Sequence, residues 1–162
     1  MAGSKLGDIA VIDFRKKMQP ILHLFGNDLH SLERLEELLS SAINYEPVGS
    51  QVICCPPPKN SDIDILVLVQ YAGQISESKA AKALPNWERG TFASFYEETI
   101  FTSSRLFIGG FDINLIEMTN PEDYNKFLLA TTVAKRFNLL KKEDRIVLFQ
   151  AILYGQHYPC SK

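Results

Sequence analysis

Apolar residues near the start of the chain recur every three or four positions, which is the spacing of an amphipathic helix. The first such pattern includes Pro20, which is expected to kink or divide the helix, and consists of Val11, Phe14, Met18, Ile21, Leu22 and Phe25. A second and clearer pattern predicts a helix over residues 29–43, with an apolar face formed by Leu32, Leu35, Leu39 and Ile43. Each helix therefore has one face that must pack against another part of the fold.

Three segments further along the chain have the pattern of β-structure. Residues 48–55 predict a short β segment that ends at three consecutive prolines. Residues 62–69 are rich in β-branched side chains and are apolar on both faces beyond two aspartates, as in a central strand covered on both sides. Residues 106–118 predict two strands that meet at Gly109 and Gly110.

Three later segments have the signals of helices. Ser76 is expected to cap a short helix, and Asn120 followed by Pro121 forms a strong helix start. The helix after Pro121 is expected to bury a stripe formed by Phe127, Ala130, Ala134 and Phe137. A last helix is predicted over residues 141–153, with Gly155 as its stop.

These elements predict an α+β fold, a small mixed sheet flanked by helices, as a single domain over residues 1–162. The 46% hydrophobic and 22% charged content agrees with one globular domain. The net charge is −2 and the basic residues are spread along the chain, so no stable binding to duplex DNA is expected. The three cysteines match neither a disulfide framework nor a metal-binding spacing, and we expect free thiols.

No membrane association is expected from the distribution of apolar residues. The longest purely apolar run, residues 65–69, is far shorter than the roughly 20 residues that a membrane span requires. The first residues also lack the apolar core of a secretory signal. A cytoplasmic location is the resulting expectation.

The candidate chemistry begins with two aspartates at the start of the central strand. Asp62 and Asp64 are two positions apart, so their side chains project from the same face of a strand. Their charges repel, and burying both carboxylates is costly unless a cation neutralises them. Carboxylate oxygens favour Mg²⁺ or Mn²⁺. The residues alone also allow a structural reading, in which Asp62 caps a turn and Asp64 lies at a solvated strand edge.

Other polar residues accompany this pair. Gly49 and Ser50 precede it by about a dozen positions, and glycine followed by a serine hydroxyl is suited to binding phosphate oxygens. Asp112 is a third acid within an otherwise apolar strand, which completes a minimal ligand set for two metal ions. Lys59 could reach a phosphate, although an exposed loop lysine is the favoured interpretation, and Arg105 could neutralise a leaving pyrophosphate or form an ordinary surface pair.

The order Gly49-Ser50, then Ser61-Asp62-Ile63-Asp64, then Phe111-Asp112-Ile113-Asn114-Leu115 resembles the nucleotidyltransferase superfamily related to DNA polymerase beta, in a minimal form. A weaker likeness to small bacteriophage-encoded members covers residues 130–140, 142–145 and 148–150. The chain departs from many members after Gly49-Ser50, where residues 51–55 and three prolines replace a second glycine and a small or basic segment.

The resemblance implies an NTP-dependent enzyme with Mg²⁺ or Mn²⁺ as its cofactor. Asp62 and Asp64 would hold the metal that carries the triphosphate, and Asp112 would join them on the metal that activates the acceptor hydroxyl. Gly49, Ser50, Lys59 and Arg105 would contact the nucleotide, with Ser50 on the terminal phosphates. The acceptor, whether an RNA end, a protein hydroxyl or a small molecule, cannot be read from the sequence. The alternative is a non-catalytic descendant that binds nucleotide or inhibits a partner protein.

Overall fold

A five-stranded mixed sheet forms the centre of the fold. The computed structural model describes residues 13–93 and 101–155. Its strands are β1 (Asn44–Val48), β2 (Ile63–Leu68), β3 (Thr91–Ala93), β4 (Phe101–Ile108) and β5 (Phe111–Met118). Their order across the sheet is β1-β2-β5-β4-β3. The α+β class expected from the sequence is therefore confirmed.

Strands β2 and β5 run parallel, and the other neighbouring pairs are antiparallel. The register places Asp64 beside Asn114 of β5 on one side and beside Val48 of β1 on the other. Strand β2 is thus an inner strand. This agrees with its apolar sequence, because such a strand is covered on both faces.

Six helices are described in addition to helical residues 13–17 and a 3₁₀ turn over Gln19–Ile21. They are α1 (Leu22–Phe25), α2 (Leu29–Leu39), α3 (Ser50–Ile53), α4 (Lys79–Lys82), α5 (Pro121–Arg136) and α6 (Lys142–Tyr154). None of the helices in residues 13–93 and 101–155 is long and apolar enough to cross a membrane.

The sheet separates two apolar cores. The N-terminal helices pack on the face that carries Ile63, Ile65, Ile113 and Leu115. Helices α5 and α6 pack on the opposite face, where they bury Leu66, Ile116 and Met118. Because strand residues alternate between faces, Asp64 and Asn114 share the second face with Leu66 and Ile116. That face is polar at the start of β2 and β5 and apolar further along.

Several local signals act as expected. Pro20 lies in the 3₁₀ turn that divides the first helical pattern, of which Val11 is outside the described residues. The Asn120 side chain accepts hydrogen bonds from the backbone N–H groups of Glu122 and Asp123 at the start of α5. Gly155 ends α6 in a left-handed conformation. Cys54 and Cys55 are free thiols, and Cys160 is outside the described residues.

The predicted β segment over residues 48–55 is wrong. The strand ends at Val48, and residues after Gly49 form α3 instead. The strand begins earlier, in the segment around Pro47, where the sequence indicates only the end of the preceding helix. Pro47 is tolerated because β1 is an edge strand and proline needs no partner for a missing N–H.

Three smaller predictions are also corrected. Helix α2 ends at Leu39, and Ile43 is exposed. Ser78 caps α4, because its side chain accepts from Ala81 N–H while Ser76 is buried elsewhere. Phe137 is the C-cap residue of α5 and is 73% exposed, since the helix turns away from the sheet before it.

Candidate functional site

The two aspartates of the central strand line one cavity. Asp62 immediately precedes β2 and Asp64 is its second residue, so both side chains project from the sheet face that α5 and α6 cover. Asp112 lies two positions before Asn114, the partner of Asp64, and belongs to the same face. Strand alternation therefore places all three aspartates on one side of the sheet.

Asp64 lies in a partly buried and polar environment. Burial raises its pKa to about 7, and the negative charge of Asp62 adds to the rise. Nδ2 of Asn114 donates to Oδ1 of Asp64 at 3.1 Å, and Oγ of Ser103 donates to Oδ1 of Asn114 at 3.0 Å. This chain of hydrogen bonds orients the Asp64 carboxylate. Asn114 is a site residue that was not predicted, although its place two residues after Asp112 on the same strand face is a signal for it.

Gly49 and Ser50 lie beside Asp64, at the turn between β1 and α3. Gly49 has a φ of +79°, and a Cβ at this position would be 2.8 Å from Cγ and 2.9 Å from Cβ of Asp64. Only glycine therefore permits this approach of the loop to the carboxylate. The hydroxyl of Ser50 lines the same cavity and is 3.4 Å from Oγ of Ser61.

The third acid is held in an ion pair. Nε of Arg105 donates to the two carboxylate oxygens of Asp112 at 2.9 and 3.1 Å, and Nη2 donates at 2.5 Å. The hydrogen bonds from Arg105 lower the pKa of Asp112. Within residues 13–93 and 101–155, no three His, Cys, Asp or Glu side chains lie close enough together to hold a metal ion. In this arrangement only two of the three predicted acids line the cavity.

Lys59 and Arg105 do not line the cavity that contains Asp64. Lys59 lines a neighbouring cleft of about 530 Å³, together with Ser61 and Asp112. The Arg105 side chain is 68% exposed. The structure therefore separates these two predicted nucleotide-binding residues from Gly49 and Ser50.

The cavity has a volume of about 470 Å³ and lies between the sheet and the two C-terminal helices. Two basic residues of α6, Lys142 and Arg145, also line it. Its apolar lining comes from the two strands, α5 and α6, and includes Ile116, Phe127 and Phe149. The sequence around Lys142 reads as an ordinary solvated helix start, and no local signal shows that α6 packs across this end of the sheet.

The residues present fit a divalent cation at the Asp62–Asp64 pair. The two carboxylates supply the hard oxygen ligands that Mg²⁺ and Mn²⁺ prefer, while the Asn114 amide turns its nitrogen toward Asp64. Burial and the charge of Asp62 raise the pKa of Asp64, and a cation beside it would favour its ionised form. Asp112 could join such a site only after Arg105 releases it.

Comparison of the sequence with protein-family models and with curated proteins found no match.

Proposed function

We propose that this chain is a metal-dependent nucleotidyltransferase of the type related to DNA polymerase beta. In the proposed reaction a nucleoside monophosphate passes from an NTP to a hydroxyl group, and pyrophosphate leaves. One observation carries the proposal: Asp62, Asp64, Gly49 and Ser50 line a single cavity, although Gly49 and Ser50 lie at the start of α3 and the two aspartates at the start of β2. The acceptor would be an RNA end, a protein hydroxyl or a small molecule.

Each polar residue of the cavity would have a separate role in the reaction. Asp62 and Asp64 would hold Mg²⁺ or Mn²⁺, which supplies charge neutralisation for the triphosphate and activation of the attacking oxygen when bound. Asn114 keeps the Asp64 carboxylate oriented through its 3.1 Å hydrogen bond. The Ser50 hydroxyl would donate a hydrogen bond to an oxygen of the terminal phosphates. A bond forms between the acceptor oxygen and the α-phosphorus, the acceptor hydroxyl gives up its proton to solvent, and the α–β phosphoanhydride bond breaks with its electrons leaving on pyrophosphate.

The role of Asp112 in this proposal depends on its ion pair with Arg105. The resemblance places it on the metal that activates the acceptor, which requires the bidentate contact with Arg105 to open. The released Arg105 could then pair with an oxygen of the departing pyrophosphate. Lys59, in the adjoining cleft, would contact the part of the ligand that extends beyond the cavity.

A second candidate is a nucleotide-binding protein without turnover, such as an inhibitor of a partner protein. The observation that favours it is the Asp112–Arg105 ion pair, in which the guanidinium group occupies both oxygens of the third carboxylate. Both candidates bind nucleotides, and for both we propose the cytoplasm as the location.

Transfer of label separates the two candidates. The full chain is incubated with each α-labelled NTP, with Mg²⁺ or Mn²⁺, and with total RNA or cell extract. Label transfer with release of pyrophosphate is the expected result. Asp62→Asn and Asp64→Asn should each lower the rate by at least about 100-fold, because each removes a carboxylate ligand of the proposed metal ion, whose positive charge would stabilise the transition state.

Asp13→Asn is the matched control, because Asp13 is exposed and lies away from the cavity. It should keep the parent rate. Nucleotide binding without any transferred label would support the second candidate and contradict the first.

A further inference from the structure

We propose that the cavity binds nucleoside triphosphates with little regard to the base, with Lys142 holding the phosphates and the apolar end enclosing the base. This inference rests on the proposed function and deepens it. It rests on two features of one cavity. Side chains of opposite charge line it, and apolar side chains form one of its ends.

The cavity has an acidic wall and a basic wall, which form no ion pair with each other among the described residues. Asp62 and Asp64 lie on the sheet, and Lys142 and Arg145 lie on α6. None of the ion pairs in the described part of the chain joins these walls within 4.0 Å. The space between them would be filled by a ligand that meets both charges, which an anion with a bound divalent cation does.

Lys142 is the basic group available for such an anion. Nη1 of Arg145 donates to the carbonyl oxygens of Leu139 and Leu140 at 2.9 and 2.8 Å and to Sγ of Cys54 at 3.5 Å, so these bonds hold the guanidinium group at the turn before α6. Lys142 is exposed, and among the described residues its ammonium group has no hydrogen bond or ion pair. An ammonium group on a flexible stem is suited to phosphate oxygens of varying position.

The other end of the cavity is apolar. Phe127 and Phe149 pack edge to face with ring centroids 4.9 Å apart, and Phe101 contacts Phe127 in the same way at 6.4 Å. Ile116 of β5 and Ile146 of α6 complete this lining. Rings and hydrocarbon side chains favour a planar base, but they offer no hydrogen bonds to its edge. The side chains of Phe127, Phe149, Ile116 and Ile146 carry no hydrogen-bond donor or acceptor that would select one base.

The size of the cavity agrees with this ligand. Its volume of about 470 Å³ lies within the range of roughly 300–1,000 Å³ that is typical of small-molecule sites. The polar residues lie at the start of β2 and β5 and the phenylalanines toward the far end, so one extended ligand can meet both. A triphosphate tail and a flat base are the two halves of such a ligand.

The test is a binding titration of the full chain with Mg²⁺ and the α,β-imido analogues of ATP, GTP, CTP and UTP, which cannot be turned over. Parent dissociation constants for the four analogues should agree within about threefold. Lys142→Gln should weaken binding of every analogue by about 10-fold or more, as expected for loss of a charged hydrogen bond. Binding of adenosine, which has no phosphate, should change less than twofold.

Lys141→Gln is the matched control. It removes the same charge from the neighbouring residue, whose side chain does not line the cavity. It should bind the analogues within about twofold of the parent, and both variants should melt at the parent temperature. The inference is overturned if Lys142→Gln binds as the parent does, if one base is preferred by more than about 30-fold, or if the parent binds none of the analogues.

Transfer of label is measured on the same proteins. Lys142-dependent binding without transfer would leave this inference standing and contradict the proposed transferase activity. Label transfer at equal rates in the parent and in Lys142→Gln would support the transferase activity and contradict this inference.

Discussion

Gly49 shows how one residue without a side chain shapes the site. Its φ of +79° favours glycine, and its neighbour across the cavity edge is the Asp64 side chain. Asp64 is in turn oriented by Asn114. The position of the carboxylate therefore depends on a small residue in the loop and an amide on the next strand.

Replacing Gly49 by Ala should therefore both destabilise the protein and disturb Asp64. The added methyl group meets Cγ and Cβ of Asp64 at 2.8 and 2.9 Å in addition to the strain of the positive φ. We expect a loss of about 2–4 kcal/mol in the free energy of unfolding, measured by urea denaturation. Analogue binding should weaken as well.

Gly155→Ala is the control for backbone strain alone. Gly155 has a φ of +74° and no atom within 4 Å of an added Cβ, so its loss should be about 1 kcal/mol. If Gly49→Ala unfolds at the same urea concentration as Gly155→Ala and still binds nucleotide analogues, the close approach to Asp64 is unimportant.

Among the strands and helices, the buried end of β5 binds the long segment that connects β2 to α4. Glu117 is 2% exposed, and its carboxylate accepts from the N–H groups of Gly73, Ile75 and Ser76 and from Oγ of Ser76. These bonds, of 2.6 to 3.2 Å, tie the segment that follows β2 to the sheet. They also explain why Ser76 is not the cap of α4.

Glu117→Gln should destabilise the protein by about 2–4 kcal/mol in urea denaturation, because an amide would turn an N–H donor toward other donors and leave them unsatisfied. Amide hydrogen exchange should quicken at Gly73 and Ile75. Glu122→Gln removes a glutamate from an exposed pair with Lys126 and should cost less than about 0.5 kcal/mol. Equal losses in the two variants would show that the Glu117 bonds contribute no more than a surface pair.

For the whole molecule, the cavity follows from the way two apolar cores flank one sheet. Helices α5 and α6 bury the apolar part of their sheet face and leave its polar start as the wall of a cavity. Asp64 is costly there when no cation is bound, since burial disfavours its charge and raises its pKa. Residues that suit ligand binding thus reduce the stability of the free protein.

This cost makes stability depend on pH. The pKa of Asp64 is about 7 in the folded protein, against an ordinary value of 3.8, so the folded state favours the protonated form. The resulting stability is complete below about pH 4 and is lost as pH rises toward and through 7. In EDTA, the parent should lose on the order of 2 kcal/mol between pH 5 and pH 8 relative to Asp64→Asn, which cannot ionise at this position.

Urea denaturation of both proteins at the two pH values provides the measurement, and the difference between them removes the contribution of other titrating groups. Adding Mg²⁺ at pH 8 should stabilise the parent but not Asp64→Asn. Identical pH dependence of the two proteins would mean that the folded protein does not disfavour the ionised form of Asp64.

Local sequence signals were sufficient for much of the fold. The apolar run after Asp64, the Asn120-Pro121 helix start and the Gly109-Gly110 turn each act through neighbours a few residues away, so the sequence alone predicts them. The same holds for Asp62 and Asp64, whose shared face follows from strand alternation. Residues 48–55 were mispredicted because sheet pairing of the segment around Pro47 and the turn at Gly49 outweighed local propensity.

What the sequence by itself determined is therefore the α+β class, the central strand and the pairing of two carboxylates with a glycine and a serine nearby. Only the tertiary structure decided that Asn114 supports Asp64, that Arg105 holds Asp112, and that α6 places Lys142 across the cavity. The physical reason is the separation along the chain between the residues that interact. Strand alternation and helix caps depend on residues close in the chain, whereas each of these contacts depends on how strands are ordered in the sheet and which helix packs upon it.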